Sequence, residues 1–418
     1  MSPEELHSQV VSDYAEFVNP YLGKLMNFAG FGVEVRAEGC NIWDHEGREY
    51  LDCLGGYGVF SLGHRHPKVV DAVKAQLDQM PLGSKVFFGK PTTDLAKELC
   101  RLTPGDLQYT FFSNSGTEAV EAALKFAKGA TGRAKIISAI GSYHGKSLGS
   151  LSVTGREKYQ KKFHPLMPGP EHVPFGDLDA ALASIDSSTA AFIIETVQGE
   201  GGIHVAEAAY LQAIEKRCRE VGALLIVDEV QTGLGRTGKM FGCEHSGICP
   251  DIITLAKCLG GGVMPIGATT VTPAVFDAVY GENPMIHTST FGGNPLACTA
   301  GLTALRVIQE EGLIERSRVQ GGKLKAGLED VLQANTDVLH EVRGQGLMLG
   351  VEFTMDEVGE LVIAQMTKRG VIAAYTLNNP RVIRFEPPLI ISDAQIDQAV
   401  EVFSGAVAET KEILAALV

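Results

Sequence analysis

Short, nearly continuous apolar runs recur through the middle of the chain: KIISAI (135–140), AAFIIE (190–195), ALLIVD (223–228) and DIITLA (251–256). Helix-patterned segments such as TEAVEAALKFAKGA (117–130) stand between some of them. Strands that are apolar on both faces and separated by helices predict a mostly parallel sheet covered on both sides. The flanks read differently. The chain opens with a polar helical stretch. GVEVRAEGCNIWDHEGREYLDC (32–53) then alternates apolar and polar positions, which predicts an antiparallel hairpin turning at His45-Glu46-Gly47. Beyond about residue 315 the pattern changes to a helix (QGGKLKAGLEDVLQAN), strands (EVRGQGLMLGVEF and RVIRFEP) and a closing helix. The expected architecture is α/β. A large domain spans residues 61–312, and the segments 1–60 and 313–418 pack together as a smaller α+β domain.

Composition narrows the function. The chain has 418 residues, 45% of them apolar, enough for a large core. Its formal net charge is −14, the opposite of a nucleic-acid-binding surface. No apolar run approaches the roughly 18 residues of a membrane span. The opening MSPEELHSQVVSDYAEF is acidic and polar, unlike a signal or transit peptide. Eight cysteines are scattered without a CxxC or a disulfide-scaffold spacing, so a reduced, cytoplasmic setting is expected.

In open α/β sheets, ligands bind beyond the carboxyl ends of the strands. Three of the apolar runs end there in a polar residue: Glu195, Asp228 and Lys257. Asp228 closes five apolar residues and needs a cationic partner. Lys257 lies between Ala256 and Cys258, before Gly260-Gly261-Gly262. A lysine in apolar surroundings has a lowered pKa and a nucleophilic amine. An Asp–Lys salt bridge without chemistry explains the same two residues equally well. Ser115-Gly116-Thr117-Glu118 opens the amphipathic helix as an S-x-x-E capping box, and helix N-termini of this kind hold phosphate. Gly233-Leu234-Gly235-Arg236-Thr237-Gly238 mimics a dinucleotide fingerprint but has a poor helix start behind it and no acidic residue about 20 positions on. Read as a P-loop ending in Lys239, the same stretch has Met240 where Ser or Thr should hold magnesium, so a nucleotide binder is disfavoured. Cys243, His245 and Cys249 lack a fourth metal ligand.

SNSGTEAVEAALK, YHGKSLG, ETVQGEGG, VDEVQTGLGRTGKMF, LAKCLGGGVMPIGA and HTSTFGGNPLA follow one another in order. With these six motifs the sequence resembles the class III aminotransferases, pyridoxal-phosphate enzymes of fold type I, from about residue 20 to the C-terminus. The resemblance implies a homodimer with shared active sites, with pairing into tetramers left open. It implies that Lys257 carries the cofactor and shuttles the proton, and that Asp228 pairs with the pyridinium nitrogen. Gln231, with Val230 beside it, would reach the phenolic oxygen. Ser115, Gly116 and Thr117 would bind the phosphate, Tyr143 would cover the ring with His144 and Gly145 alongside, and Glu195 would border the cofactor. Thr290 would touch the cofactor phosphate of the other subunit.

Within the family, LDCLGGYGVFSLGHRHP, HGKSLG and TLNNPRVIRFEPPL look most like the diamine-acting members. The resemblance then implies transfer of a terminal amine, from putrescine or cadaverine, to the oxo-acid acceptor 2-oxoglutarate. Lys146 stands where ornithine and acetylornithine enzymes carry an Arg that clamps the α-carboxylate, and Lys lacks the bidentate fork. Tyr57 and Phe60 suggest a wall suited to an alkyl amine, and Glu200 with Arg384 matches the family's gating pair. An ω-amino-acid or acetylornithine/ornithine aminotransferase, or an aminomutase, are the neighbouring alternatives.

Overall fold

The computed structural model describes every residue except Ala29 and Val418. Its centre is a seven-stranded sheet. The strands follow the order Tyr109–Ser113, Gly267–Val271, Ile252–Leu255, Leu224–Asp228, Thr189–Ile194, Lys135–Ala139 and Pro170–Val173. Only Gly267–Val271 runs against the rest, pairing antiparallel with both neighbours. The four apolar runs picked out in the sequence are four of these strands, and Thr189–Ile194 is buried at every residue. Six strands therefore point their carboxyl ends to one edge, as a parallel sheet dictates. Helix Gly116–Thr131 buries Val120, Ala123, Leu124 and Phe126, and packs near the middle of the sheet.

The N-terminal segment forms helices Pro3–Asp13 and Pro20–Phe28 and then a meander, Glu34–Glu38, Asn41–Asp44 and Glu49–Asp52. The expected hairpin around His45 is present, and an additional strand precedes it. Val371–Ile372, from the far end of the chain, pairs in parallel with Leu51 and Asp52. A second four-stranded antiparallel sheet contains Leu339–Gln345, Met348–Phe353, Asn379–Phe385 and Ala374–Thr376. The closing helix Asp393–Leu417 packs on helices Leu313–Gln333 and Asp356–Lys368.

The lookalike Gly233–Gly238 is a run of turns with no α-helix behind it, only the short 3₁₀ turn Gly242–His245. Its Arg236 is buried and donates to the carbonyls of Leu347 and Pro387 and to Ser61 Oγ. That arginine ties the C-terminal strands to the large sheet and leaves no cradle for a phosphate. Among the described residues no cluster of three metal-ligating side chains occurs, which removes Cys243, His245 and Cys249 from consideration. No described helix is long and apolar enough to cross a membrane.

Candidate active site

The carboxyl edge of the central sheet opens into a cavity of 610 Å³. Asp228 and Lys257 line it from adjacent strands, because Asp228 pairs with Thr254 across the ladder and Lys257 follows three residues later. Asp228 is buried. Its Oδ1 accepts from the Val230 amide (3.1 Å) and Thr254 Oγ1 (3.0 Å), and its Oδ2 lies 2.7 Å from Nδ1 of His144. Burial alone would pull the His144 imidazole down, but the hydrogen bond and charge of Asp228 outweigh it and raise its pKa. Lys257 begins a short 3₁₀ turn with φ +48°, a left-handed conformation that a lysine adopts only when its surroundings hold it there. Desolvation lowers the pKa of its amine, with Arg384 adding to the effect and Glu386, Glu200 and Asp228 opposing it.

Glu195 lines the same cavity. Its oxygens accept from the amides of Tyr143 (3.0 Å) and Gly199 (3.2 Å), so it fixes the loop that carries Tyr143 at the cavity wall. Desolvation pushes its carboxyl up to about 7, with nearby Asp228 adding to the rise and His144 and the two amides opposing it.

At the far end of the cavity, Ser115 caps helix Gly116–Thr131 and its Oγ accepts from the Glu118 amide (3.3 Å). The expected capping box is only half formed. The Glu118 carboxylate reaches the amide of Asn114 (2.6 Å), one residue before the cap, since Asn114 Nδ2 and Ser115 Oγ also draw it to that side. The amides of Gly116 and Thr117 are left to a ligand in the cavity that both residues line. A β-carbon at Gly116 would stand 2.9 Å from Val230 Cγ1, so glycine allows this close seating of helix against strand end. Gly145, at φ +124°, passes so near Thr117 that any side chain would collide with its hydroxyl. Thr117 Oγ1 is held by Ser147 (2.8 Å) and Ser150 (2.7 Å).

Tyr57, Glu200 and Arg384 form a separate cluster beside the cavity rather than in its wall. Arg384 is buried, and its Nη2 lies 2.5 Å from Glu200 Oε2. Its guanidinium stands 5.0 Å from the centre of the Tyr57 ring. Burial alone would raise the Glu200 carboxyl, but Arg384 holds it low. Phe60 and Lys146 do line the cavity, with Lys146 exposed at its rim. Thr290 is exposed and lies outside the cavity of its own chain. Sequence reading passed over Glu386, although it stands inside the quoted RVIRFEPPL. This buried carboxylate accepts from Gln231 Nε2 at 2.8 and 2.9 Å and lies 3.6 Å from Arg384 Nη1. The segment Gly262–Ile266 also lines the cavity, as does Ser147.

The signature of "Aminotransferase class-III" matches residues 30–407. The chain belongs to the class III aminotransferases. It is 48% identical over 413 residues to a putrescine aminotransferase of Pectobacterium atrosepticum, covering 94% of this chain and 88% of the relative. Among solved structures, an aminotransferase of Bacillus anthracis superposes with a TM-score of 0.91 at 28% identity, covering 98% of this chain and 100% of the other. A thermostable (S)-enantioselective omega-transaminase of Thermomicrobium roseum gives 0.90 at 31% identity, over 98% and 99%. The ornithine aminotransferase of Toxoplasma gondii, whose active site holds pyridoxal phosphate at partial occupancy, gives 0.86 at 32% identity, over 91% of each chain. The protein is therefore a pyridoxal-phosphate-dependent aminotransferase with the α/β architecture of fold type I. The cavity suits that cofactor: unclaimed helix N-terminal amides at one end, a buried carboxylate at the other, an aromatic wall at Tyr143 and a desolvated lysine amine.

Proposed function

We propose that this aminotransferase takes a terminal amino group from a diamine such as putrescine or cadaverine and passes it to 2-oxoglutarate in a ping-pong cycle, giving an amino aldehyde and glutamate. The observation that carries the reading is the state of Arg384. Its charge is already balanced by Glu200 inside the protein, so a donor without a carboxylate can bind without leaving a buried guanidinium unpaired. A dicarboxylate acceptor would take the place of Glu200 on the same guanidinium. The likeness to a putrescine aminotransferase supports the same choice.

Bound pyridoxal phosphate supplies a carbonyl that condenses with amines and a ring that draws electrons from the bond being broken. The residues have distinct tasks around it. The amides of Gly116 and Thr117, with the Ser115 and Thr117 hydroxyls beside them, bind the phosphate. Asp228, oriented by His144 and Thr254, holds the proton on the ring nitrogen. Tyr143, Gln231 and Val230, which line the cavity, would border the cofactor ring. The Lys257 amine, whose pKa desolvation lowers, would hold the cofactor between turnovers and move the proton at the donor carbon. Phe60, in the cavity wall, and Tyr57, in the cluster beside it, would shape the donor pocket.

The working unit in this reading is a homodimer with shared sites. Support comes from the exposed segment that carries Thr290, where Met285, Ile286 and Phe291 are also exposed, and from exposed Val86, Phe87 and Phe88. The division into a large domain, 61–312, and a small one from 1–60 and 313–418 is supported by the pairing of Val371 with Leu51. A cytoplasmic setting is supported by eight free cysteines.

The likeness to an ornithine aminotransferase favours a second reading, in which the donor is ornithine or its acetyl derivative. One panel separates the two: kcat/KM for putrescine, cadaverine, an ω-amino acid, ornithine and acetylornithine, each with 2-oxoglutarate and with pyruvate. Diamines should lead with 2-oxoglutarate. A clear lead for acetylornithine or ornithine would replace the diamine assignment.

A further inference from the structure

Arg384 faces two carboxylates, not one. Glu200 meets Nη2 at 2.5 Å, and Glu386 lies 3.6 Å from Nη1. The two carboxylates differ in their freedom. Glu200 sits on the turn after Val197–Gln198, so its side chain belongs to a connecting loop. Glu386 directly follows strand Asn379–Phe385, its amide donates to the Cys53 carbonyl at 2.7 Å, and its own carbonyl is approached so closely by Gly55 that no side chain fits there. Its carboxylate is fully buried and grips Gln231 Nε2 through both oxygens. Glu200, whose Oε2 also accepts from the Leu377 amide at 2.9 Å, is the loop-borne carboxylate that an incoming carboxylate would displace; Glu386 is the one fixed at the strand end.

We propose that Glu386 is a specificity-determining residue, a fixed negative charge beside Arg384 and Gln231 that tilts the site toward cationic donors and weakens its hold on carboxylates. The inference deepens the diamine reading above and rests on it. With Glu200 in place, the Arg384 guanidinium faces two carboxylates, and Glu386 also feels the buried Arg236 guanidinium; of the carboxylates, Glu386 acts most strongly on the Lys257 amine that meets the donor. A diamine reaches the site carrying a second, cationic ammonium and gains from the negative charge of Glu386. An acceptor carboxylate that displaces Glu200 still meets Glu386. At the effective dielectric of about 20 that suits such sites, one unit charge within several ångströms changes binding by about tenfold or more.

The test is E386Q in the holoenzyme, because glutamine keeps the shape and an oxygen that can accept from Gln231 while removing the charge. Steady-state kinetics would give KM for 2-oxoglutarate and kcat/KM for putrescine and for ornithine, with the visible spectrum of the bound cofactor as a check on the site. The expected result is a KM for 2-oxoglutarate several-fold lower and a putrescine-to-ornithine ratio of kcat/KM about tenfold lower, with the spectrum unchanged. Equal loss for all substrates, with KM for 2-oxoglutarate unmoved, would mean that Glu386 only supports the structure and would overturn the proposal; so would no change at all. A wild-type enzyme inert toward putrescine would sink the diamine reading, and the KM for 2-oxoglutarate would still decide for or against Glu386. If E386Q does not fold, E386D withdraws the same charge by one methylene; a KM for 2-oxoglutarate lower than wild type supports the proposal and an identical one overturns it.

Discussion

Nδ1 of His144 lies 2.7 Å from Oδ2 of Asp228, and both side chains are buried at the end of the same sheet edge. The pair leaves Asp228 with three partners and one orientation, toward the cavity. Asp228→Asn keeps the volume and removes the charge that would hold the ring nitrogen protonated. Turnover should fall by several orders of magnitude, because electron withdrawal by the protonated ring is the main service of the cofactor. Single-turnover absorbance changes with a saturating amine would report it. A variant with near-normal turnover would reduce Asp228 to a strand-end residue.

Lys257→Ala should abolish turnover while the chain still folds. Borohydride reduction of the wild-type holoenzyme, followed by peptide mapping, should find the cofactor on the peptide containing Lys257. Reduced cofactor on another lysine would remove the assignment.

The strand ends were legible because a parallel sheet collects its carboxyl ends at one edge, and Glu195, Asp228 and Lys257 each broke an apolar run there. The three do not share one task, however. All three border the ligand space, but Glu195 also spends its oxygens on the Tyr143 and Gly199 amides and so fixes the neighbouring loop. Spacing along the chain cannot show that difference, since it depends on which way a carboxylate turns once buried. Glu386 stayed hidden for another reason. Its partner Gln231 lies 155 positions away, and only the crossing of strand Asn379–Phe385 past the sheet edge brings them together. Strand Gly267–Val271 was hidden by its own composition, because GATTV carries two threonines that bury against polar partners, Thr269 donating to the Ala119 carbonyl and Thr270 meeting Thr110.

Glycine carries the phosphate end, and two substitutions should grade its cost. Gly145→Ala places a methyl group against Thr117 Oγ1 at a backbone angle that alanine rarely adopts, for a loss of roughly 2–4 kcal/mol. Gly116→Ala, at an ordinary backbone angle, meets the two Val230 methyls at 2.9 and 3.3 Å and the Ala256 β-carbon at 3.5 Å, for about 1–2 kcal/mol. Urea unfolding with parallel measurement of bound cofactor should rank Gly145→Ala the worse on both counts. The reverse order would show that the helix–strand seating, not the Thr117 contact, sets the geometry.

Glu195 should make stability depend on pH. Its carboxyl is raised to about 7 from an ordinary 4.5, so the folded chain holds the proton more tightly than the unfolded chain. The stabilising contribution is fully present below pH 4.5 and is lost as pH rises through 7. Glu195→Gln cannot titrate, so the fall in melting temperature across that window should be shallower than in wild type. Parallel curves would show that Glu195 keeps its charge throughout.

Lys146 decides how sharply the enzyme rejects α-carboxylate donors. Its ammonium lies 4.7 Å from the centre of the Tyr159 ring and 5.9 Å from that of Tyr143, exposed at the cavity rim, with no carboxylate partner among the described residues. Two aromatic faces hold it as a point charge, worth about 0.5–1 kcal/mol at an exposed site. An arginine there could stack on the same rings and still present two parallel donors to a carboxylate. Lys146→Arg should therefore raise kcat/KM for ornithine and acetylornithine by about tenfold, the worth of one bidentate contact, and leave diamine turnover mostly intact. Diamine preference itself should be graded with length, since each further buried methylene contributes about 0.8 kcal/mol, close to fourfold in binding, until the pocket ends. The deciding measurement is kcat/KM for putrescine, cadaverine and acetylornithine on wild type and Lys146→Arg. If the variant gains nothing toward acetylornithine, the rim does not select against the α-carboxylate, and discrimination has to reside deeper, at Arg384.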